Sequence, residues 1–249
     1  MARRIKLVLS YDGTDYHGWQ VQPGMVTIQR SLEEALSEIE GMHVAVAGSG
    51  RTDAGVHALA QVAACTLENP IPVDNLRRAL NRLLPADIRV SSVAEAAPDF
   101  HPRFQATAKT YEYRIWREEI CPPFVRRYVY HFPYRIFEER FLEAAMVFQG
   151  THDFTAFAAA DEKDRKDASK VRTVWSSTAA REGDLLVYRV RGSGFLKHMV
   201  RNLVGGLMEC ARGNRTVDDL KALLAGNIET RSGYSMPARG LFLVSVEYC

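Results

Sequence analysis

Ala47-Gly48-Ser49-Gly50-Arg51-Thr52-Asp53-Ala54-Gly55-Val56-His57-Ala58 is the stretch on which the reading of the chain turns. A short apolar strand candidate, residues 44–47, precedes it and an apolar run, residues 59–67, follows it. The polar residues between them therefore collect at one edge of a sheet. Gly48, Gly50 and Gly55 allow tight bends there, because without Cβ the backbone reaches conformations closed to other residues. Among them stand a cation, a hydroxyl and a carboxylate: Arg51, Thr52 and Asp53. A carboxylate held beside a guanidinium favours its ionised form. Residue types alone leave two readings open: Asp53 is the acidic group of a site, or it caps a polar turn while Arg51 is solvated. Phosphate cradling finds no support, since the glycines are not spaced G-x-G-x-x-G and no Gly-Lys-Ser/Thr follows.

As a whole, Gly50-Arg51-Thr52-Asp53-Ala54-Gly55-Val56-His57-Ala58 resembles the signature of the tRNA pseudouridine synthase A family. The resemblance extends to Tyr11-Asp12-Gly13-Thr14 with Tyr16-His17-Gly18-Trp19-Gln20, to Lys109-Thr110-Tyr111-Glu112-Tyr113, and to His152-Asp153-Phe154. It continues through Gly194-Phe195-Leu196 with His198-Met199-Val200-Arg201-Asn202 and ends at Pro237-Ala238-Arg239-Gly240-Leu241. Ordered matches over nearly the whole chain are far more specific than any one of them.

Composition is compatible with that resemblance without pointing to it. At 249 residues the chain can bury a sizeable core, and 47% hydrophobic with 25% charged residues are ordinary globular values. A net charge of +2 does not by itself announce a nucleic-acid partner, so any such footprint must come from clustering of the 32 Lys and Arg. Cys65, Cys121, Cys210 and Cys249 are widely separated, which weakens both a disulfide scaffold and a zinc site and fits a reducing cytoplasm. No run approaches the roughly 20 apolar residues of a membrane span. Met1-Ala2-Arg3-Arg4 leads straight into a strand pattern, without the features of a signal peptide.

Residues 5–10 alternate as a strand with a buried face, and residues 11–22 follow as a polar, aromatic loop. By resemblance this loop faces RNA; alternatively, its Trp19 covers the core edge. Thr27 caps a helix in which Ile28, Leu32, Leu36 and Ile39 recur, and Gly41 stops it. Residues 75–84 read as a helix ended by Pro85, and 88–94 as a strand. Residues 98–105 form the crossover into the second half. There His101, Arg103 and Phe104 read as a hinge that packs its aromatic, with RNA contact as the alternative. Residues 107–116 have strand chemistry, placing Tyr111, Tyr113 and Ile115 on one side. Residues 138–148 are helical, and the charged run 161–170 reads as a surface loop or a tRNA-touching arm. Residues 171–178 and 185–190 form a hairpin around Glu182-Gly183-Asp184. Met199, Val200, Leu203, Val204, Leu207 and Met208 make an apolar helical stripe, with Gly213 beyond its end. A helix at 217–224 and a strand at 241–248 complete the chain. The expected fold is α+β: two α/β halves, 1–105 and 106–249, sharing a largely antiparallel mixed sheet with helices packed against it and a cleft between them. The first half carries the catalytic Asp loop, the second its Tyr and Arg partners.

The activity that the resemblance implies is conversion of uridine to pseudouridine at positions 38, 39 and 40 of the tRNA anticodon stem-loop, by a cytoplasmic homodimer. That reaction breaks the bond between uracil N1 and ribose C1′, turns the base, and rejoins it through C5. Nothing is oxidised or hydrolysed, so neither a redox cofactor nor a metal is demanded. A carboxylate near C1′ or C6 is demanded, acting as nucleophile or base. By resemblance Asp53 is that carboxylate, Arg201 the guanidinium that pairs with it, and Tyr111 the aromatic that stacks on the target base. From residue types alone, Arg201 reads as a snorkelling arginine flanking the apolar stripe, and Tyr111 as a strand tyrosine in core or cross-strand packing. Tyr111, Arg51, His57 and Lys109 are the substrate-binding candidates. Two other classes compete: a non-catalytic tRNA-binding protein, which needs no Asp53, Tyr111 and Arg201 set, and a glycoside-cleaving enzyme, which usually needs two carboxylates. Asp12 or Asp15 supplies a second only if the first loop folds over the site.

Overall fold

The computed structural model describes residues 2–159, 169–226 and 234–249. Most of the charged run at 161–170 lies outside them. The chain forms two compact units, Met1–Thr107 with Phe242–Cys249, and Ala108–Leu241. Both mix strands and helices, and the strand pairs are mostly antiparallel, which makes the fold α+β.

The first unit is built on β1 (Arg3–Tyr11), whose Ile5, Leu7 and Leu9 are fully buried and alternate with partly exposed neighbours. This period of two is what a strand with one covered face requires. Helix α1 (Ile28–Glu40) follows, with the Thr27 hydroxyl accepting from the Arg30 N–H and Gly41 closing the other end at φ 81°. Its Ile28, Leu32 and Leu36 form the buried stripe. Next come β2 (Ala47–Gly48), β3 (His57–Leu67), α2 (Val73–Leu83) and β4 (Ile88–Glu95). β1 lies antiparallel between β4 and β3, and β2 pairs with β3. The final strand, Leu241–Tyr248, runs parallel to β3, with Phe242 opposite His57.

The strand expected at 44–47 is cut down to β2 because α1 captures its polar groups first. The Val44 N–H donates to Ser37 Oγ at 2.9 Å, and the Val46 N–H to Glu33 Oε1 at 3.0 Å. With those donors taken, no ladder forms until Ala47.

In the second unit β5 (Ala106–Trp116) pairs with the two-residue β6 (Tyr130–His131) and, antiparallel, with β9 (Leu185–Gly192). β9 forms the expected hairpin with β8 (Val171–Glu182), and β7 (Gly150–Asp153) adds to β8. The helix expected over 138–148 is α3 (Glu138–Ala145), tightening into a 3₁₀ turn at Met146–Phe148. Helix α4 (Met199–Arg212) buries the whole apolar stripe, and α5 (Val217–Leu224) follows a Thr216 capping box. Among the described residues no helix is long and apolar enough to cross a membrane.

The crossover departs from expectation at one side chain. Phe100 is the aromatic that packs, 9% exposed against Val62 and Ala64, whereas Phe104 is 77% exposed. Pro102 and Phe100 are tied down by Tyr248 and Arg4, which fixes the loop with Phe104 outward.

Candidate active site

In the first unit, the loop carrying Asp53 is held from beneath by a buried polar chain. Ser49 Oγ donates to Gln61 Oε1 at 2.6 Å, and Gln61 Nε2 donates to the Gly50 carbonyl at 3.0 Å. Tyr11 and Thr52 share a hydroxyl hydrogen bond of 2.8 Å. Burial pushes the Tyr11 phenol up to about 12, so it stays a neutral hydroxyl at physiological pH. Ser49 and Gln61 are fully buried, and buried polar groups without partners would cost about 1–3 kcal/mol each. This chain therefore specifies one position for the loop.

From the other side the loop is clamped by residues 11–20. The Trp19 N–H donates to the Thr52 carbonyl at 3.0 Å, and the Gly55 N–H donates to the Tyr16 carbonyl at 3.3 Å. The crossing is so close that side chains are excluded. A Cβ at Gly13 would lie 2.0 Å from the Val56 carbonyl oxygen, and one at Gly18, whose φ is +88°, 2.6 Å from that of Thr52. Trp19 is 3% exposed and covers Gly48, so its ring closes the core edge.

Within this clamp the Val56 N–H donates to the Asp53 carbonyl at 3.1 Å, closing a turn with no helix after it. Asp53 is half-buried and Arg51 exposed. His57 is 1% exposed, accepts from the Gly13 N–H at 3.1 Å, and stacks on Phe242 with ring centroids 4.8 Å apart. Such a ring offers no open face, and its contacts brace the bend at Asp12-Gly13. The first loop does pack on the Asp53 loop, but Asp12 spends Oδ1 on the Thr14 N–H and hydroxyl, at 3.0 and 2.6 Å, beside His57. Asp12 is thereby a turn-forming acceptor, unlike a second carboxylate aimed at a sugar.

In the second unit, Tyr111 lies on β5 opposite Val190, 8% exposed, in T-shaped contact with Phe195, the ring centroids 5.1 Å apart and the planes at 77°. Half-buried Lys109, two residues earlier on the strand, pairs with Gly192. The loop from Gly194 to α4 places Phe195. It turns through His198, whose φ of 59° is left-handed and costs a non-glycine residue roughly 1–3 kcal/mol. Asn202 Nδ2, donating to the Phe157 carbonyl at 2.7 Å, ties down the first turn of α4.

Arg201 projects from that turn, half-buried, and Nε donates to the Met236 carbonyl at 2.5 Å. The segment that supplies the acceptor crosses α4 closely. A Cβ at Gly205 would lie 2.3 Å from the Tyr234 carbonyl oxygen, and Pro237 accepts from the Tyr113 hydroxyl at 2.8 Å. Arg201 is thus anchored to backbone at a defined angle, unlike an arginine that merely reaches toward water. Phe195, Gln61 and the glycines at 13 and 18 emerge as positioning residues. The glycines and Phe195 stood in the quoted motifs, whereas Gln61 carried no local signal.

The chain belongs to the tRNA pseudouridine synthase family: the family model of that description matches residues 7–105 and 144–249. Among curated relatives, the tRNA pseudouridine synthase A of Solibacter usitatus (strain Ellin6076) is 61% identical over 246 residues, covering 99% of this chain and 100% of the relative. Those of Geobacter sp. (strain M21) and Geobacillus sp. (strain WCH70) are 42% and 41% identical, each over 99% of the relative and 99% and 100% of this chain.

Proposed function

We propose that this protein isomerises uridine to pseudouridine at positions 38, 39 and 40 of tRNA anticodon stem-loops, with Asp53 as the essential carboxylate. Isomerisation in tRNA is the chemistry of the family to which the chain belongs. The observation that carries the choice of Asp53 is its backbone, clamped between the buried Tyr11–Thr52 hydrogen bond and the close crossing at Gly18. A carboxylate that must meet a sugar or base carbon gains most from such fixed placement, because positioning removes much of the entropic barrier.

Tyr111 holds the flipped uracil, Arg201 supplies the guanidinium that fixes the carboxylate in place, and Arg51 and the half-buried Lys109 meet phosphate. His57 serves the substrate through the bend that it braces. The uridine must leave its stack first, at a cost of a few kcal/mol, so shape and phosphate contacts carry binding. The protein works in the cytoplasm as a homodimer, and light scattering tests the latter.

Incubation with an unmodified tRNA transcript, without metal or cofactor, followed by nucleoside analysis tests the reading. Pseudouridine at 38–40 is expected. Free uracil would mark a glycosidase, and unchanged uridine a non-catalytic binder. Asp53→Asn is expected to abolish turnover while tRNA binding persists. A rate within tenfold of the parent, about 1.4 kcal/mol in the barrier, would remove Asp53 from the chemistry.

A further inference from the structure

In the crossover between the units' sequences, two phenylalanines four residues apart meet opposite fates. Phe100 enters the core, and Phe104 stands 77% exposed on a loop that is anything but loose. Arg4 Nε donates to the Phe100 carbonyl at 2.9 Å, and the Tyr248 hydroxyl donates to that of Pro102 at 2.7 Å. His101 Nδ1 accepts from the Arg103 N–H at 3.1 Å, and the Gln105 N–H donates to the His101 carbonyl at 3.1 Å. The His101 ring centroid lies 4.3 Å from that of Phe104, tilted 33°, and the Arg103 guanidinium carbon 5.8 Å from the same ring.

An exposed apolar ring forgoes the free energy that its burial would contribute. Here the loop backbone is held by hydrogen bonds with the ring outward, and the ring is flanked by an imidazole and a guanidinium. We propose that Phe104, with His101 and Arg103, is a stacking platform for an unpaired RNA base whose adjoining phosphate meets Arg103. The inference rests on the tRNA reading above and assigns it a second contact, in the first unit, besides the Asp53 loop. An RNA base fits better than a protein side chain, because every base offers a flat π face and an adjacent negative charge. Asp99 is the sole carboxylate in residues 98–105. A platform ordered beforehand also loses little entropy when a base settles on it.

The test compares Phe104→Ala, Phe104→Leu and Phe104→Tyr for binding to an unmodified tRNA transcript, KM, kcat, and sedimentation. With Ala and Leu, Kd and KM are expected to rise about tenfold, which corresponds to about 1.4 kcal/mol and lies within the range for one base–aromatic stack. Tyr is expected to stay within about twofold, and all three to keep the parent melting temperature. Unchanged affinity in Phe104→Ala overturns the proposal. So does recovery by Leu, which restores an apolar contact without a π face, or a shift in oligomeric state, which would assign this face to a second copy of the chain. A parent that forms no pseudouridine would instead refute the functional reading. An active parent beside an unaffected Phe104→Ala variant refutes this inference alone.

Discussion

Two tyrosines on one face of β5 show how a single side chain's surroundings separate structural from chemical roles. Tyr113 is fully buried, its hydroxyl committed to the Pro237 carbonyl, and burial drives its phenol far above the ordinary range. Tyr111, two residues earlier, retains 8% exposure and has its ring in T-shaped contact with Phe195. T-shaped contact of this kind is a preferred aromatic geometry and fixes the orientation of the ring. If Tyr111 holds the target base by stacking, Tyr111→Phe keeps that function and Tyr111→Ala loses it, at roughly 1–3 kcal/mol, or about 5- to 150-fold in kcat/KM. Steady-state kinetics on the tRNA transcript distinguishes the two variants. A Phe variant as impaired as Ala would shift the role to the hydroxyl, and two fully active variants would remove Tyr111 from the site. The strand and its buried face were legible from the alternation of Tyr111, Tyr113 and Ile115. The Phe195 contact was not, because it joins residues far apart in the chain.

At the scale of elements, the Asp53 loop owes its placement to the loop ahead of α1 and to β1 and β3 beneath. Gly18 tests that dependence directly, since its φ is +88° and its would-be Cβ sits 2.6 Å from the Thr52 carbonyl oxygen. Gly18→Ala is expected to cost roughly 1–3 kcal/mol in urea denaturation and to lower turnover by displacing Thr52. Gly24 provides the comparison: its φ is +73°, but nothing lies within 4 Å of the added methyl. Gly24→Ala therefore reports left-handed strain alone and should leave turnover intact. Equal effects of the two substitutions on turnover would dissociate the crossing from the carboxylate. The motif containing Gly13 and Gly18 was visible in the sequence, whereas what the two glycines pass against was not.

For the whole molecule the relevant quantity is charge. A formal charge of +2 gives little long-range attraction, so recognition of tRNA depends on local clusters among the 32 Lys and Arg. Contacts to phosphate release counterions, and a footprint of even a few phosphates lowers affinity by more than about tenfold between roughly 50 and 200 mM salt. Filter binding of unmodified tRNA across that range is expected to show this slope. An affinity indifferent to salt would contradict a phosphate-dominated footprint.

Sequence by itself determined the features set by neighbours along the chain. Thr27 and Gly41 bound α1, the stripe from Met199 to Met208 buries α4, and ordered motifs from Tyr11 to Leu241 reveal the family. Each depends on periodicity, a cap or a run of residue types, and such signals are local. Tertiary structure alone decided the outcomes of competition between distant partners. Side chains of α1 take the N–H groups of Val44 and Val46 and shorten β2. The final strand joins β3 in parallel, and β6 and β7 form although two and four residues leave almost no pattern to read. Phe100 is buried and Phe104 exposed because Arg4 and Tyr248, from opposite ends of the chain, hold the loop between them. A hydrogen bond or a buried face belongs to whichever group reaches it first in space, and that order is not written in the residues on either side.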